Sequence, residues 1–171
     1  KLDTCMEIVH GALDGGHRIL LFSQFTSMLD IIGKRLAKED IGFLKLTGAS
    51  SKESRAKMVA QFQAGEVPVF LISLKAGGVG LNLTAADVVI HYDPWWNVAA
   101  QDQATDRAHR IGQQHTVTVY KLIAKDTIEE RIMQMQESKR DLVNSVLGGD
   151  SISSALFTRE DVLALLGGDG R

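Results

Sequence analysis

The fold class is decided by the stretch Val67-Pro-Val-Phe-Leu-Ile-Ser-Leu-Lys-Ala-Gly-Gly-Val-Gly-Leu-Asn-Leu83. Its first six residues are apolar and of strand length, with Pro68 near the start, where a strand tolerates proline. A wholly apolar strand is typical of a sheet that is covered on both faces. The glycine-rich continuation is typical of a tight turn or of a loop that approaches a ligand closely. The stretch therefore predicts an interior strand with a loop at its carboxyl end.

Four further runs of strand length surround this stretch: Arg18–Phe22, Phe43–Leu46, Asp87–Tyr92 and Val117–Ala124. Segments with apolar residues at helical spacing lie between them: Leu2–Leu13, Thr26–Glu39, Ser50 to about Gln63, and Val98–Arg110. Strands that alternate with helices predict an α/β fold, a doubly wound and mainly parallel sheet with helices on both faces. Functional groups of such a sheet cluster at the carboxyl ends of its strands, so we expect the site there.

Local signals predict where the helices begin and end. Gly42 and Gly65 are placed to end the second and third helices. Capping patterns at Ser50 with Glu53, and at Asp126 with Glu129, predict two helix starts. We therefore divide the chain into a lobe at 1–125, a long helix at 126–150, and a linker with a short C-terminal helix at 151–171.

The composition is that of an ordinary globular domain. Hydrophobic residues make up 44% of the 171 residues and charged residues 23%, which excludes a fibrous or wholly disordered chain. The formal net charge of −2 excludes a strongly basic nucleic-acid-binding domain but permits a local positive groove. Cys5 is the single cysteine, so an internal disulfide is impossible and a reducing compartment is expected. The five histidines show no metal-ligand spacing and no apolar run could span a membrane, so we expect neither a metal site nor a membrane segment.

The densest group of polar residues is Gln103-Ala-Thr-Asp-Arg-Ala-His-Arg-Ile-Gly-Gln113. On a helix, Gln103, Asp106, Arg107 and Arg110 share a face because they are three or four positions apart. Arginine presents a planar fork of donors that suits phosphate, and arginine fingers stabilise the charge on a transferring phosphoryl group. From the charges alone, the alternative is a solvated face on which Asp102 and Asp106 pair with the arginines.

Two other groups have several interpretations. The loop at 74–83 could cradle phosphate or ribose, but a tight turn has the same composition. The chain contains neither a Walker A pattern nor the dinucleotide pattern G-x-G-x-x-G followed by an acidic residue, which makes a Rossmann enzyme the weakest interpretation. The adjacent Trp95 and Trp96 either pack in the core or present an indole to nucleic acid.

Together these motifs resemble the C-terminal RecA-like lobe of the SWI/SNF-type ATP-dependent DNA translocases, a branch of helicase superfamily 2. The resemblance extends from about Leu2 to Leu147 and preserves both order and spacing. It rests on Ile19–Phe25, Leu46–Gly48 with Arg55 and Phe62, Leu71–Leu83, Tyr92–Asn97, Gln103–Gln113, Tyr120–Ile123 and Thr127–Glu130. Val98 departs from the family pattern, which has proline after the asparagine.

The resemblance implies roles for particular residues. Arg107 and Arg110 match the arginine fingers that reach the γ-phosphate of ATP held by another lobe. Positions at the ATP cleft are matched by Gln103, Gly78 and Gly80. Positions that touch the DNA sugar-phosphate backbone are matched by Ser23, Gln24, Thr47, Gly48, Ser73, Lys75 and Trp96. The helix at 126–150 resembles one that braces the lobes.

The resemblance also implies the activity: this would be the C-terminal motor lobe of an ATP-dependent double-stranded DNA translocase or helicase-like remodelling protein. ATP with Mg²⁺ would be held mostly by an N-terminal RecA-like lobe. Since the chain starts at Lys1 rather than Met, we expect it to be part of a longer enzyme. We expect this part alone to hydrolyse no ATP. We expect it in the cytoplasm, at the nucleoid of a bacterium or archaeon, or in the nucleus of a eukaryote. The alternative is a non-catalytic RecA-like module that docks DNA or protein.

Overall fold

The computed structural model describes residues 1–76, 81–94, 98–106, 108 and 116–147, without the side chains of 98–100 and 142–147. The strands in these ranges are β1 (Ile19–Ser23), β2 (Phe43–Leu46), β3 (Val69–Ser73), β4 (Val88–His91) and β5 (Thr118–Lys121). The helices are α1 (Leu2–Asp14), α2 (Thr26–Lys38), α3 (Lys52–Ala64), α4 (Val98–Asp106) and α5 (Ile128–Leu147). The predicted α/β class is confirmed. Three strands (β2, β4 and β5) lie within predicted runs, whereas β1 and β3 each extend one residue beyond theirs, to Ser23 and Ser73.

The five strands form one parallel sheet in the order β2-β3-β1-β4-β5. The three inner strands β3, β1 and β4 are buried at every position, as their apolar sequences predict. The edge strand β5 is exposed at all four positions. The most apolar segments therefore occupy the middle of the sheet.

Successive residues of the inner strands point to opposite faces, and each face has its own core. Leu21 points toward α1 and α2, whose buried side chains include Val9 and Leu29. Its neighbour Leu20 points to the other face, where it packs with Phe62 of α3 and with α4. Burying one large apolar side chain contributes about 1.5–3 kcal/mol, so the two cores hold helices on both faces of the sheet.

Two helix ends differ from the predicted positions. The second helix ends at Lys38, and the left-handed residue after it is Asp40, with a φ of 58°, rather than Gly42. Ile41 N–H donates to the Leu36 carbonyl at 2.9 Å. The third helix is capped by Ser51, whose hydroxyl accepts from Ser54 N–H, rather than by Ser50. The hydroxyl of Ser50 instead accepts from Thr47 N–H at 3.2 Å within the preceding loop.

The start of α5 also differs from the predicted pairing of Asp126 with Glu129. Asp126 precedes the helix with a φ of 56°, and its N–H donates to Glu130 at 3.0 Å. The hydroxyl of Thr127 accepts from Glu129 N–H at 3.3 Å, which is the bond of a capping residue. The carboxylate of Glu129 turns back instead to the N–H of Ala124 at 2.9 Å. The predicted linker and short helix at 151–171 lie outside the described residues.

A buried histidine connects the end of β4 to α4. His91 is 1% exposed, stacks on Phe22 with ring centroids 5.6 Å apart, and has its Nε2 2.9 Å from the hydroxyl of Thr105. Burial, together with the positive charge of Lys121, lowers the pKa of His91 from 6.5 to about 4. The imidazole is therefore neutral in the folded chain at physiological pH.

The two left-handed helix ends give a paired test of backbone strain. Gly65 ends α3 with φ 82°, and a Cβ there would lie 2.3 Å from a guanidinium nitrogen of Arg18. We expect Gly65→Ala to lower the free energy of unfolding by about 1–2 kcal/mol, and Asp40→Gly to raise it by about 0.5–1 kcal/mol. Urea denaturation of both variants checks the signs; a stabilised Gly65→Ala would contradict the assigned strain.

The buried imidazole predicts a pH dependence of stability. Because the folded pKa of His91 lies below the unfolded value, the unfolded chain binds a proton between pH 6.5 and 4 that the folded chain does not. The free energy of unfolding is therefore highest above pH 6.5, where both states are neutral at this group. It falls on acidification, by about 2–3 kcal/mol at pH 4.5. We expect His91→Gln to lack this decrease. Urea titrations at several pH values measure how the free energy of unfolding changes with pH in the wild type and in His91→Gln. The difference between the two at pH 8 gives the pH-independent cost of the substitution. An equal pH dependence of both proteins would contradict the prediction.

Candidate functional site

The carboxyl ends of four strands meet at one edge of the sheet, which we call the carboxyl edge (residues 23–25, 47–51, 73–76 and 92–94). The register aligns Ser23 of β1 with Ser73 of β3, and Phe22 with His91 of β4. Leu74 N–H then donates to the Ser23 carbonyl at 3.0 Å, and Tyr92 N–H donates to the Phe22 carbonyl at 2.9 Å. The loops from which the sequence predicts DNA contacts thus begin side by side.

The loop after β1 places one predicted residue inside and others outside. Ser23 is fully buried, and its hydroxyl donates to Asp93 and accepts from Phe25 N–H at 3.1 Å. Gln24 is half-buried, with its side-chain amide donating to the Pro94 carbonyl at 3.3 Å. Phe25 is 55% exposed. Ser23 therefore shapes the loop, whereas Gln24 and Phe25 reach its surface.

Asp93 lies within the motif Tyr92–Asn97, but the sequence assigns it no role. Its Oδ2 accepts from the Ser23 hydroxyl and its Oδ1 from Gln24 N–H at 3.0 Å, although the residue is only 4% exposed. Burial raises the pKa of Asp93, while the hydrogen bonds from Ser23 and Gln24 act in the opposite direction. Besides its place in that motif, its signal in the sequence is a carboxylate just after a buried apolar strand.

Arg55 of α3 joins the loops that follow β2 and β3. Its guanidinium donates to the carbonyls of Ser50 at 3.0 Å, Thr47 at 3.5 Å and Ala76 at 3.4 Å. Arginine offers five donors in a rigid fork, so one side chain can bind several backbone carbonyls in fixed positions. The sequence marks Arg55 as a motif residue but does not indicate these partners.

The remaining predicted residues of the carboxyl edge differ in accessibility. Lys75 and Gly48 are exposed, and a Cβ on Gly48 would meet no atom within 4 Å. Thr47 is half-buried, and Ser73 is 2% exposed. A ligand approaching this edge therefore meets the ammonium of Lys75 and the backbone of Gly48 before it meets either serine.

α4 turns one face to the core and another to the outside. Gln101, Ala104 and Ala108 are buried, whereas Gln103 and Asp106 are exposed. Asp102, which the charges suggested as a partner for the arginines, has its carboxylate 3.8 Å from the guanidinium of Arg140 in α5. The accessible Gln103 is thus available to a ligand from outside this sheet.

The first turn of α5 lies next to the carboxyl edge. The ammonium of Lys1 pairs with Glu129 and lies 5.2 Å from the centre of the Tyr92 ring. Farther along α5, Ile132 and Gln136 are buried. The helix is therefore attached to the lobe at its start and over the next two turns.

Several predicted site residues lie outside the described residues: Gly78, Gly80, Trp96, Arg107 and Arg110. Within the described ranges, no group of three or more His, Cys, Asp or Glu side chains could hold a metal ion. No helix in the same ranges is long and apolar enough to cross a membrane.

Comparison with known proteins connects this geometry to a family. Residues 1–112 match the family described as helicase conserved C-terminal domain. The chain is 46% identical over 166 residues to an uncharacterized ATP-dependent helicase of Mycoplasma pneumoniae, covering 96% of this chain and 16% of that protein. It is 44% identical over 152 residues to the human chromatin-remodeling ATPase INO80, covering 88% of this chain and 10% of that protein.

A bacterial relative and a solved structure agree with that match. The putative ATP-dependent helicase/translocase YwqA of Bacillus subtilis is 43% identical over 163 residues, which are 94% of this chain and 18% of that protein. The crystal structure of the C-terminal part of the Fun30 ATPase domain matches with a TM-score of 0.75 and 38% identity, covering 78% of this chain and 44% of that one. The chain thus spans less than a fifth of these full-length relatives. It belongs to the helicase conserved C-terminal domain family, and the resemblance to a SWI/SNF-type C-terminal lobe is confirmed.

Proposed function

We propose that this chain is the C-terminal motor lobe of an ATP-dependent translocase that moves along double-stranded DNA. In this proposal its carboxyl edge contacts the sugar-phosphate backbone, and Arg107 and Arg110 supply arginine fingers to ATP. An N-terminal RecA-like lobe of the full-length protein holds most of that ATP and its Mg²⁺. The relatives named as helicases, translocases and remodelling ATPases support this assignment.

The observation that carries the proposal is the construction of the carboxyl edge. Three loops start from adjacent strands, and Asp93 and Arg55 hold their backbones in place. Lys75 and Gly48 remain exposed between these fixed points. A motor must bind DNA without reading its sequence, so its contacts go to phosphates through cations, hydroxyls and backbone N–H groups. The edge offers such groups in fixed positions.

The exposure of Gln103 also supports the proposed ATP cleft. Gln103 lies on the outward face of α4, where a nucleotide held by a second lobe could reach its amide. The sequence has no Walker A pattern, so this chain depends on that second lobe for ATP. Arginine fingers complete such a site when the lobes close, which couples ATP hydrolysis to movement along DNA. The protein therefore acts where DNA lies, at the nucleoid or in the nucleus.

The arginine assignment is tested in the full-length protein. We expect Arg110→Ala to lower DNA-stimulated ATP hydrolysis by about 10³-fold or more, because an arginine finger contributes on that order to the rate. A steady-state ATPase assay with saturating duplex DNA measures the loss, and circular dichroism shows whether the variant remains folded.

Two results would contradict the proposal. Normal ATP turnover by Arg110→Ala would show that Arg110 is not an arginine finger. A wild-type protein that binds DNA but hydrolyses no ATP would favour the docking module instead.

The DNA contact of Lys75 is tested by the salt dependence of binding. We expect Lys75→Ala to weaken duplex binding roughly fivefold on every sequence and to reduce the slope of log K against log salt by about 0.9. The matched control is Lys38→Ala, since Lys38 is an exposed lysine in the last turn of α2, which returns from the carboxyl edge to the opposite edge of the sheet. Fluorescence anisotropy at several salt concentrations measures both. Equal slopes for the two variants would contradict a phosphate contact at Lys75.

A further inference from the structure

We propose that Asp93 is a positioning residue for DNA binding: its buried carboxylate sets the shape of the loop at residues 23–25 without touching DNA. This inference rests on the proposed function, because it assigns a second layer of residues behind the same DNA-contacting edge. Neither the motif analysis nor the matches to known proteins give Asp93 a role.

The carboxylate controls three consecutive residues of the loop. One oxygen accepts from the Ser23 hydroxyl, and the other accepts from Gln24 N–H at 3.0 Å. The same hydroxyl accepts from Phe25 N–H at 3.1 Å, so the influence of Asp93 extends one residue farther. Two of these three bonds involve backbone N–H groups, and therefore the main chain itself follows the position of the carboxylate.

The start of α2 beside this loop has no capping side chain of its own. Phe25 occupies the position before the first residue of α2, where its side chain makes no capping hydrogen bond. Ser, Thr, Asp and Asn are the residues that usually cap that position. Instead the Ser23 hydroxyl, which Asp93 orients, accepts from Phe25 N–H and fixes the residue from which α2 starts. Losing the carboxylate would therefore release the loop where it leads into α2.

The location of the carboxylate separates positioning from contact. Asp93 is 4% exposed, whereas Phe25 is 55% exposed and Gln24 is half-buried. An anion at the surface would repel a phosphate, but this anion is covered by the loop that it holds. A buried carboxylate costs stability unless it is hydrogen-bonded, and here the N–H and O–H donors of a surface loop provide those bonds.

A second carboxylate of the same sheet serves as a matched control. Asp87 lies just before β4, at the opposite edge, and accepts from Arg18 N–H at 2.9 Å with one oxygen. Its other oxygen is 2.7 Å from His17 Nδ1. Like Asp93, it fixes the backbone beside β1 from the neighbouring strand. It lies far along the sheet from the predicted DNA contacts, so it reports the purely structural effect of losing such a carboxylate.

The experiment uses the full-length protein and measures ATP hydrolysis as a function of duplex DNA concentration. We expect Asp93→Ala to raise the half-saturating DNA concentration about tenfold, and to raise it by a larger factor than it lowers turnover at saturating DNA. Asp93→Asn, which still offers an acceptor to Gln24 N–H, should lie nearer to the wild type. Asp87→Ala should reduce thermal stability but leave the half-saturating DNA concentration unchanged.

Further variants keep the test decisive if Asp93→Ala does not fold. Ser23→Ala removes the link to Phe25 and should also raise the half-saturating DNA concentration. In the double variant Ser23→Ala with Asp93→Asn, the half-saturating DNA concentration should rise by less than the two single effects combined, because both substitutions act on one set of bonds.

The outcomes distinguish this inference from the proposed function. A wild-type protein whose ATPase is not stimulated by DNA overturns the proposed function and this inference with it. A stimulated wild type with unchanged half-saturating DNA concentration in folded Asp93 and Ser23 variants overturns the inference alone. Equal shifts in Asp93→Ala and Asp87→Ala also overturn it, because the effect would then be structural only.

Discussion

The parallel register of β1 with its two neighbours is the constraint on which the rest of the structure depends. Ser23 lies opposite Ser73 on one side, and Phe22 lies opposite His91 on the other. Because parallel strands in this register end together, the loops that follow three separate strands emerge at the same level. The hydrogen-bond ladder of the sheet thus places the carboxyl edge, and side chains have only to hold the loop backbones there.

Two charged side chains hold the loop backbones of the carboxyl edge. Arg55 reaches from α3 to backbone carbonyls of the loops after β2 and β3. Asp93 reaches from the end of β4 to N–H and O–H groups of the loop after β1. The cation binds acceptors and the anion binds donors, so each satisfies backbone groups that a loop leaves without partners. The exposed residues between them stand on a surface whose backbone is already fixed.

The elements of the fold could be predicted from the sequence, whereas much of the site could not. Each inner strand is apolar at every position before its last residue, which neither a surface strand nor a loop would be, so β1 and β3 follow from local pattern. The partners of Asp93 are 69 and 70 residues away, and no local pattern indicates them. Ser50 and Ser51 fit a helix cap equally well, and a neighbouring loop N–H decides between them. The resemblance implies a contact of Ser23 with the DNA backbone, but the same hydroxyl also suits a buried carboxylate.

The strand order has a consequence for how the chain folds during synthesis. The partners of Ile19 in the sheet are Val69 and Val88, and no segment between β1 and β3 pairs with β1. At a translation rate of 5–20 residues per second, β1 waits on the order of 3–10 s for its first partner after it is made. During that time Ile-Leu-Leu-Phe is an unpaired apolar strand with two free edges, which is the kind of segment that associates with other nascent chains. The strand that organises the finished lobe is therefore also open to such association while the chain is being made.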